Sequence, residues 1–241
     1  MNAAHNKVRK HYDEVADIYD SRYDRNRGRL YYSRLSENVL ELLPRGRTLL
    51  DLGCGTGLFI QRYGRYGGSA VGLDISPGMI RRARSRCRMD RFAVGNAEIL
   101  PFRNESFDAV SSLLAFSYLK EPESMVREAY RVLRPGGVIA VVTLGKNLFT
   151  SGLPALYAMG EAMNIRYVGM GDFGERYYSE SEMNDLFSEA GFTDIRVRRC
   201  SFAHINLIEP LYEIARKIEP FVEERLPYLA YNLLASARKP G

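Results

Sequence analysis

Three glycines alternate with small residues in LLDLGCGTGLFI, residues 49–60: Gly53, Gly55 and Gly57, with Asp51 two positions before the first. A second acid, Asp74, stands 23 residues after Asp51, at the end of the next apolar run, SAVGLD. Aliphatic residues on both sides make the glycine segment a turn between a buried strand and a helix. A turn with almost no side chains lets a ligand approach the backbone closely. A carboxylate at the end of the following strand is placed to accept hydrogen bonds from ribose hydroxyls. A phosphate cradle would need a lysine after the last glycine, but Leu58 and Phe59 follow Gly57. A dinucleotide turn reads G-x-G-x-x-G, whereas the order here is G-C-G-T-G. The pattern fits a ribose-bearing ligand that needs no pyrophosphate. Two acids also suit a cationic, amino-acid-like end.

The elements that must position these residues follow a regular rhythm. Helices are predicted over 7–23, with interleaved tyrosines, and over 29–43, ended by Pro44. Strands are then predicted at 48–51, 70–74, 92–95, 107–114, 138–143, 195–201 and 228–238. Between them fall helices at 57–66, 77–86, 122–132 and 179–190. Ser76 and Pro77 form an N-cap and a first-turn proline. Ser179 and Glu182 are spaced as a capping box, and Gly191 stops that helix. Apolar strands alternating with helices predict an α/β fold, a parallel sheet covered on both faces. Two segments break the rhythm. Residues 145–178 are rich in Gly, Met and aromatics and read as a cap, because a structureless loop that long is unusual unless functional. Residues 205–227 read as an extra amphipathic helix broken by Pro220. That helix closes the pocket's other side, forms a homodimer face, or serves only the core.

The chain has 241 residues, 46% hydrophobic and 26% charged, which is ordinary for a globular protein with a sizeable core. A net charge of +5 permits anionic partners without arguing for them. Cys54, Cys87 and Cys200 are scattered with no metal-ligand spacing, so no metal is expected and a reducing compartment fits best. No signal-type leader and no bilayer-length apolar run is present, so the expectation is a cytoplasmic protein without a membrane span.

The motifs together resemble the class I S-adenosylmethionine-dependent methyltransferases, and within them the ubiquinone/menaquinone C-methyltransferase-like and small-molecule enzymes. LLDLGCGTGLF resembles the family's first motif, hhDhGCGxG, and AVGLDISPGMI the second. GNAEILPFRNESFDAVSS, EAYRVLRPGGVIAVV and YYSESEMNDLFSEAGFTDIRV resemble the later ones, in the family's order. The likeness covers about residues 10–200 and is specific because the motifs occur jointly. It implies a Rossmann-like, seven-stranded, mostly parallel sheet with the last strand antiparallel, plus N-terminal helices and a helical cap. It implies one methyltransferase domain over 1–241, with a lid at 1–44, a cofactor-binding core at 45–144, the cap at 145–178 and the rest of the sheet at 179–241. It implies S-adenosyl-L-methionine as cofactor. The turn from Gly53 through Cys54 and Gly55 to Gly57 would wrap its methionine part, and Asp51 would face its amino group. Asp74 would hold the ribose, and Ile75 or Met79 would pack on the adenine. Asn96 and Ala97 would edge the adenine; the family's usual residue at 96 is Asp, and Asn accepts a hydrogen bond without supplying charge. Residues Leu113 to Phe116 would floor the site, and Tyr19 would close over it.

Methyl transfer is an in-line displacement, so the protein mainly places the reactants and excludes water. A base is needed only for a protonated acceptor. Three residues are candidates: Tyr118 after the fourth strand, His204 after the sixth, and His11 beside Tyr12. Each also reads as a packing residue. The stretch SSLLAFSY lacks the N/D-P-P-Y/F motif of base-amine methylation. The basic run RRARSRCRMDR at 81–91 has no interleaved aromatics and reads as a solvated helix face, so no nucleic-acid partner is expected. The apolar cap favours a small-molecule acceptor. RNA or protein methylation, and cofactor binding without turnover, remain as alternatives.

Overall fold

A computed structural model of the chain describes residues 3–24, 26–147, 175–203, 207 and 209–241. Most of the predicted cap, residues 148–174, and the candidate base His204 lie outside the described residues. The helices α1 (Ala3–Val15), α2 (Ser21–Asp24) and α3 (Asn26–Leu40) come first. Then follow β1 (Thr48–Leu52), α4 (Leu58–Gly64), β2 (Ser69–Asp74), α5 (Pro77–Arg86), β3 (Arg91–Val94) and β4 (Phe107–Leu113). The chain continues through α6 (Pro122–Val132), β5 (Leu133–Leu144), α7 (Glu180–Glu189), β6 (Thr193–Cys200), α8 (Glu209–Arg225) and β7 (Asn232–Arg238).

The strands form one seven-stranded sheet in the order β3-β2-β1-β4-β5-β7-β6. Pairs among β1 to β5 are parallel, and β7 runs antiparallel between β5 and β6. Alternate strand residues feed opposite layers. Leu50, Val110, Ile139 and Val141 pack on the α6 and α7 side with Met125, Val126 and Phe187. Leu49, Ala109, Ala140 and Val142 pack on the other side with Leu35 and Val39 of α3, Phe59 of α4 and Ile80 of α5. Burial on both faces is why these strands read as unbroken apolar runs. The order reverses between β1 and β4, so the loops after those strands splay apart and leave a crevice.

Three predicted elements are corrected. The helix expected over 7–23 ends at Val15, and turns at 16–20 carry the chain into the short α2. The break lets Asp20 accept from Thr56 Oγ1 at 2.6 Å and from Arg86, which brings Tyr19 over the glycine turn. Pro220 does not break α8; the helix runs through it. Glu219 and Glu223 on that stretch hold Arg34 at 3.2 and 2.9 Å and cap the amides of Ala203 and Ser201. These tertiary ties outweigh the one backbone bond that proline removes. The last strand begins at Asn232 rather than 228, because Pro227–Leu229 form a 3-10 turn.

Candidate active site

The glycine turn sits in the crevice. Gly53, Gly55 and Gly57 all have left-handed φ, at 72°, 53° and 79°. The amides of Gly53 and Cys54 both donate to the Leu73 carbonyl, at 2.8 and 3.1 Å, which ties the turn to β2. A Cβ on Gly57 would press on Ala83 at 3.3 Å, so its bareness serves the contact between α4 and α5. A Cβ on Gly55 would meet little but the Tyr19 ring at 4.0 Å, so its bareness faces open space.

Asp74 ends β2 and turns its carboxylate into the crevice. Its Oδ2 accepts from the Gly55 amide at 2.8 Å and its Oδ1 from the Ser76 amide at 2.9 Å. Burial raises its pKa from 3.8 to about 6, against the hydrogen bonds from Ser76 and Gly55. Asp51 pairs in register with Ser111 of β4, whose hydroxyl donates to it at 2.7 Å. Asp51 is 2% exposed, and burial lifts its pKa from 3.8 to about 7, opposed by Ser111 and reinforced by the charge of Asp74. Because the folded value lies above the unfolded one, stability from this group is full below about 3.8 and is lost as pH rises through about 7. Asp51→Asn is therefore expected to raise the melting temperature by about 4 °C near pH 8 and hardly at all near pH 4. A drop at both pH values in a thermal melt would show that burial of the charge is not the governing cost.

Two adjoining pockets open here. The larger, about 850 Å³ and partly open to solvent, is bounded by Gly53, Gly55, Asp74, Ile75, Met79, Asn96, Ala97, Leu113 and Tyr118, among others. The smaller, about 360 Å³, is bounded by Asp51, Cys54 and Thr56 together with Tyr23 and Tyr32. Tyr19, Gly53, Gly55, Leu113 and Leu114 form the wall common to both. Of the residues singled out in the sequence, Gly57, Phe116 and His11 line neither pocket. Phe116 turns into the core against Tyr178, with ring centres 5.3 Å apart, so it does not floor the site. His11 packs edge-on against Tyr12 at 5.3 Å. Asn96 bounds the larger pocket while its side-chain oxygen accepts the Glu98 amide at 2.9 Å.

Tyr23 and Tyr32 were not singled out in the sequence, yet they join Tyr12 and Tyr19, the latter expected to close over the site, in a run of ring contacts at 4.8 to 6.1 Å, and the candidate Tyr118 meets Tyr12 at 5.8 Å. Burial raises the Tyr12, Tyr19, Tyr32 and Tyr118 hydroxyls well above the usual tyrosine range, so they stay protonated at neutral pH. The interleaved tyrosines of the predicted 7–23 helix were the available signal for Tyr12 and Tyr23. Asp13 caps α5 from α1, accepting from Ser76 Oγ at 2.6 Å and the Gly78 amide at 2.8 Å. Leu114, at φ 63°, holds the end of β4 in a strained turn, a form of strain that gathers at functional sites. In the basic run at 81–91, Arg82 pairs with Asp17 on the exposed face, as expected of a solvated helix face, whereas Arg86 is partly buried against Asp20 and Thr56.

Comparison with known proteins bears on this crevice. Residues 50–141, from the glycine turn to β5, match the family model described as a methyltransferase domain. The demethylmenaquinone methyltransferase of Paenarthrobacter aurescens is 31% identical over 201 residues, covering 79% of this chain and 77% of that protein. A Thermotoga maritima structure described as a SAM-dependent methyltransferase superposes with a TM-score of 0.70 at 24% identity, covering 95% of this chain and 97% of that one. A Haloferax volcanii chain from a complex of the Trm112 methyltransferase activator with a methyltransferase superposes with a TM-score of 0.71 at 23% identity, covering 97% and 98%. The two structural likenesses show a shared fold.

Proposed function

The chain belongs to the S-adenosylmethionine-dependent methyltransferases, and on that premise we propose that it methylates a small, apolar organic acceptor by in-line displacement. The observation that carries this reading is the wall of the two joined pockets. Asp51 and Asp74 stand on the glycine-turn side, and tyrosine rings with Leu113, Leu114, Leu119 and Met125 make up much of the rest. Two buried carboxylates, Asp51 and Asp74, with a bare Gly55 between the pockets, fit a cationic, ribose-bearing ligand. Asp74 would hold the ribose, Asp51 the amino group, and Ile75, Met79, Asn96 and Ala97 the adenine. When bound, the cofactor supplies a sulfonium methyl as the electrophile. The chain's own part is to orient and to exclude water. The protonated Tyr12 and Tyr118 share a hydrogen bond and act as wall and donors, not as bases.

The first test is calorimetric titration with S-adenosylmethionine and S-adenosylhomocysteine, with NAD as control. Binding on the order of micromolar for the first two, none for NAD, and labelled-methyl transfer to an apolar acceptor is the expected result. Turnover on RNA or protein, and none on small molecules, would overturn the acceptor class. A second reading rests on α8, where Leu211, Ile214, Ile218 and Phe221 are exposed at helical spacing. Such a stripe suits a partner, as in a methyltransferase working beside an activator or a second copy. Light scattering of the purified chain separates monomer from dimer.

A further inference from the structure

Glu98 is a fixed anchor in the wall of the larger pocket. It is 6% exposed, and its Oε1 accepts the amides of Lys120 and Glu121 at 2.8 and 3.1 Å, just ahead of α6. Its Oε2 lies 2.9 Å from Nε2 of His5, on the first turn of α1. Both side chains bound the pocket, next to Asn96 and Ala97. Ten residues from its start, α1 is tied again, by Asp13 to the head of α5. Val8 and Tyr12, between the two ties, bound the pocket too. One side of the pocket is thus roofed by a helix held at both ends.

We propose that His5 is a positioning residue, a proton-operated clasp on Glu98 that holds α1 over the adenine end of the cofactor site. The imidazole carries charge only when protonated. Burial pushes the Glu98 carboxyl up, but the amides of Glu121 and Lys120, with His5 and Asn96, pull it below the usual glutamate value. Glu98 therefore stays anionic at neutral and mildly acid pH. The 2.9 Å contact lacks hydrogen-bond alignment and draws its attraction from charge, so the clasp tightens as the imidazole is protonated. The groups around it are accounted for. Asn96 bonds Glu98, Lys120 and Glu121 present main-chain amides, and Asp13 is held by Ser76 and Gly78. Asp74, Tyr12 and Tyr118 bound the same pocket. Asp51 and Asp74 titrate nearby with the opposite effect on a cationic ligand, since they lose charge as pH falls. A comparison between variants at each pH cancels them.

The clasp rests on reading this pocket as the cofactor site, and the experiment separates the two. S-adenosylhomocysteine is titrated into the full chain, wild type, His5→Gln and His5→Arg, from about pH 5.5 to about pH 8.5. The wild type is expected to bind about tenfold more tightly than His5→Gln at the acid end and about twofold at the alkaline end. His5→Arg, cationic throughout, should keep its advantage over His5→Gln at every pH. A ratio that does not change with pH, or an Arg variant no better than Gln, overturns the clasp. Amide exchange of α1 without ligand is the independent readout. His5→Gln should exchange faster than wild type at the acid end and converge with it at the alkaline end. If S-adenosylhomocysteine binds to none of the three, the cofactor reading falls while exchange still decides the clasp. Identical exchange in wild type and variant overturns the clasp itself.

Discussion

Asp74→Asn is expected to weaken S-adenosylhomocysteine binding by more than about tenfold while the chain stays folded. Tenfold corresponds to about 1.4 kcal/mol, less than a charged, buried acceptor facing two ribose hydroxyls commonly contributes. The choice of Asn matters. Asp74 already accepts the Gly55 and Ser76 amides, so alanine would strand both and loosen the glycine turn itself. Asn keeps one oxygen for one amide and sets an N–H against the other, at a cost of about 1–3 kcal/mol. A melting curve should show this as a modest drop with cooperativity kept. The pH dependence adds a second check. Burial sets the carboxyl at about 6, so ribose binding by the wild type should weaken as pH falls through that value. The Asn variant should lack that component. Wild-type affinity in Asp74→Asn, measured by calorimetry, would remove the ribose role.

Gly53→Ala is expected to lose cofactor binding by about a hundredfold or more and to melt well below the wild type. Two costs combine. At φ 72° an L-residue sits in the left-handed region, which costs roughly 1–2 kcal/mol. Its Cβ would lie 2.2 Å from the Cβ of Ala115, a distance that no real contact has, so the turn must shift. The shift would move the amides that donate to Leu73 and the wall common to both pockets. Ala115→Gly in the same chain removes the clash and leaves the strain, so the double variant should recover part of the stability. Gly46→Ala is the control, because φ there is 66° with nothing within 4 Å. It should show the strain alone. Equal loss in the single and double variants would sink the steric account, leaving backbone strain as the cause.

The sequence and the tertiary structure divided the work by distance along the chain. Helix α5 begins where Ser76 and Pro77 predict and spans the predicted 77–86, and α7 carries the capping box of Ser179 and Glu182. Those signals are legible because a cap bond spans three residues. The glycine turn and both acids were legible for a similar reason: left-handed backbone selects glycine locally, and strand ends select position. The family's motifs lie in the same stretch, within residues 50–141. What the sequence could not place were groups brought in from far away. Asp13 reaches Ser76 across 63 residues, Asp20 reaches Arg86 across 66, and Glu223 reaches Arg34 across 189. The early end of α1, the passage of α8 through Pro220 and the gathering of the tyrosines all follow from such ties. Phe116 shows the same limit in reverse. Its place just after β4 is local information, but its inward turn onto Tyr178 depends on which face of the sheet had room. By itself the sequence determined the sheet's rhythm, the turn and the two acids, because backbone conformation and periodicity are local. Only the tertiary structure decided what roofs the site, because long-range contacts have no spacing to be read from.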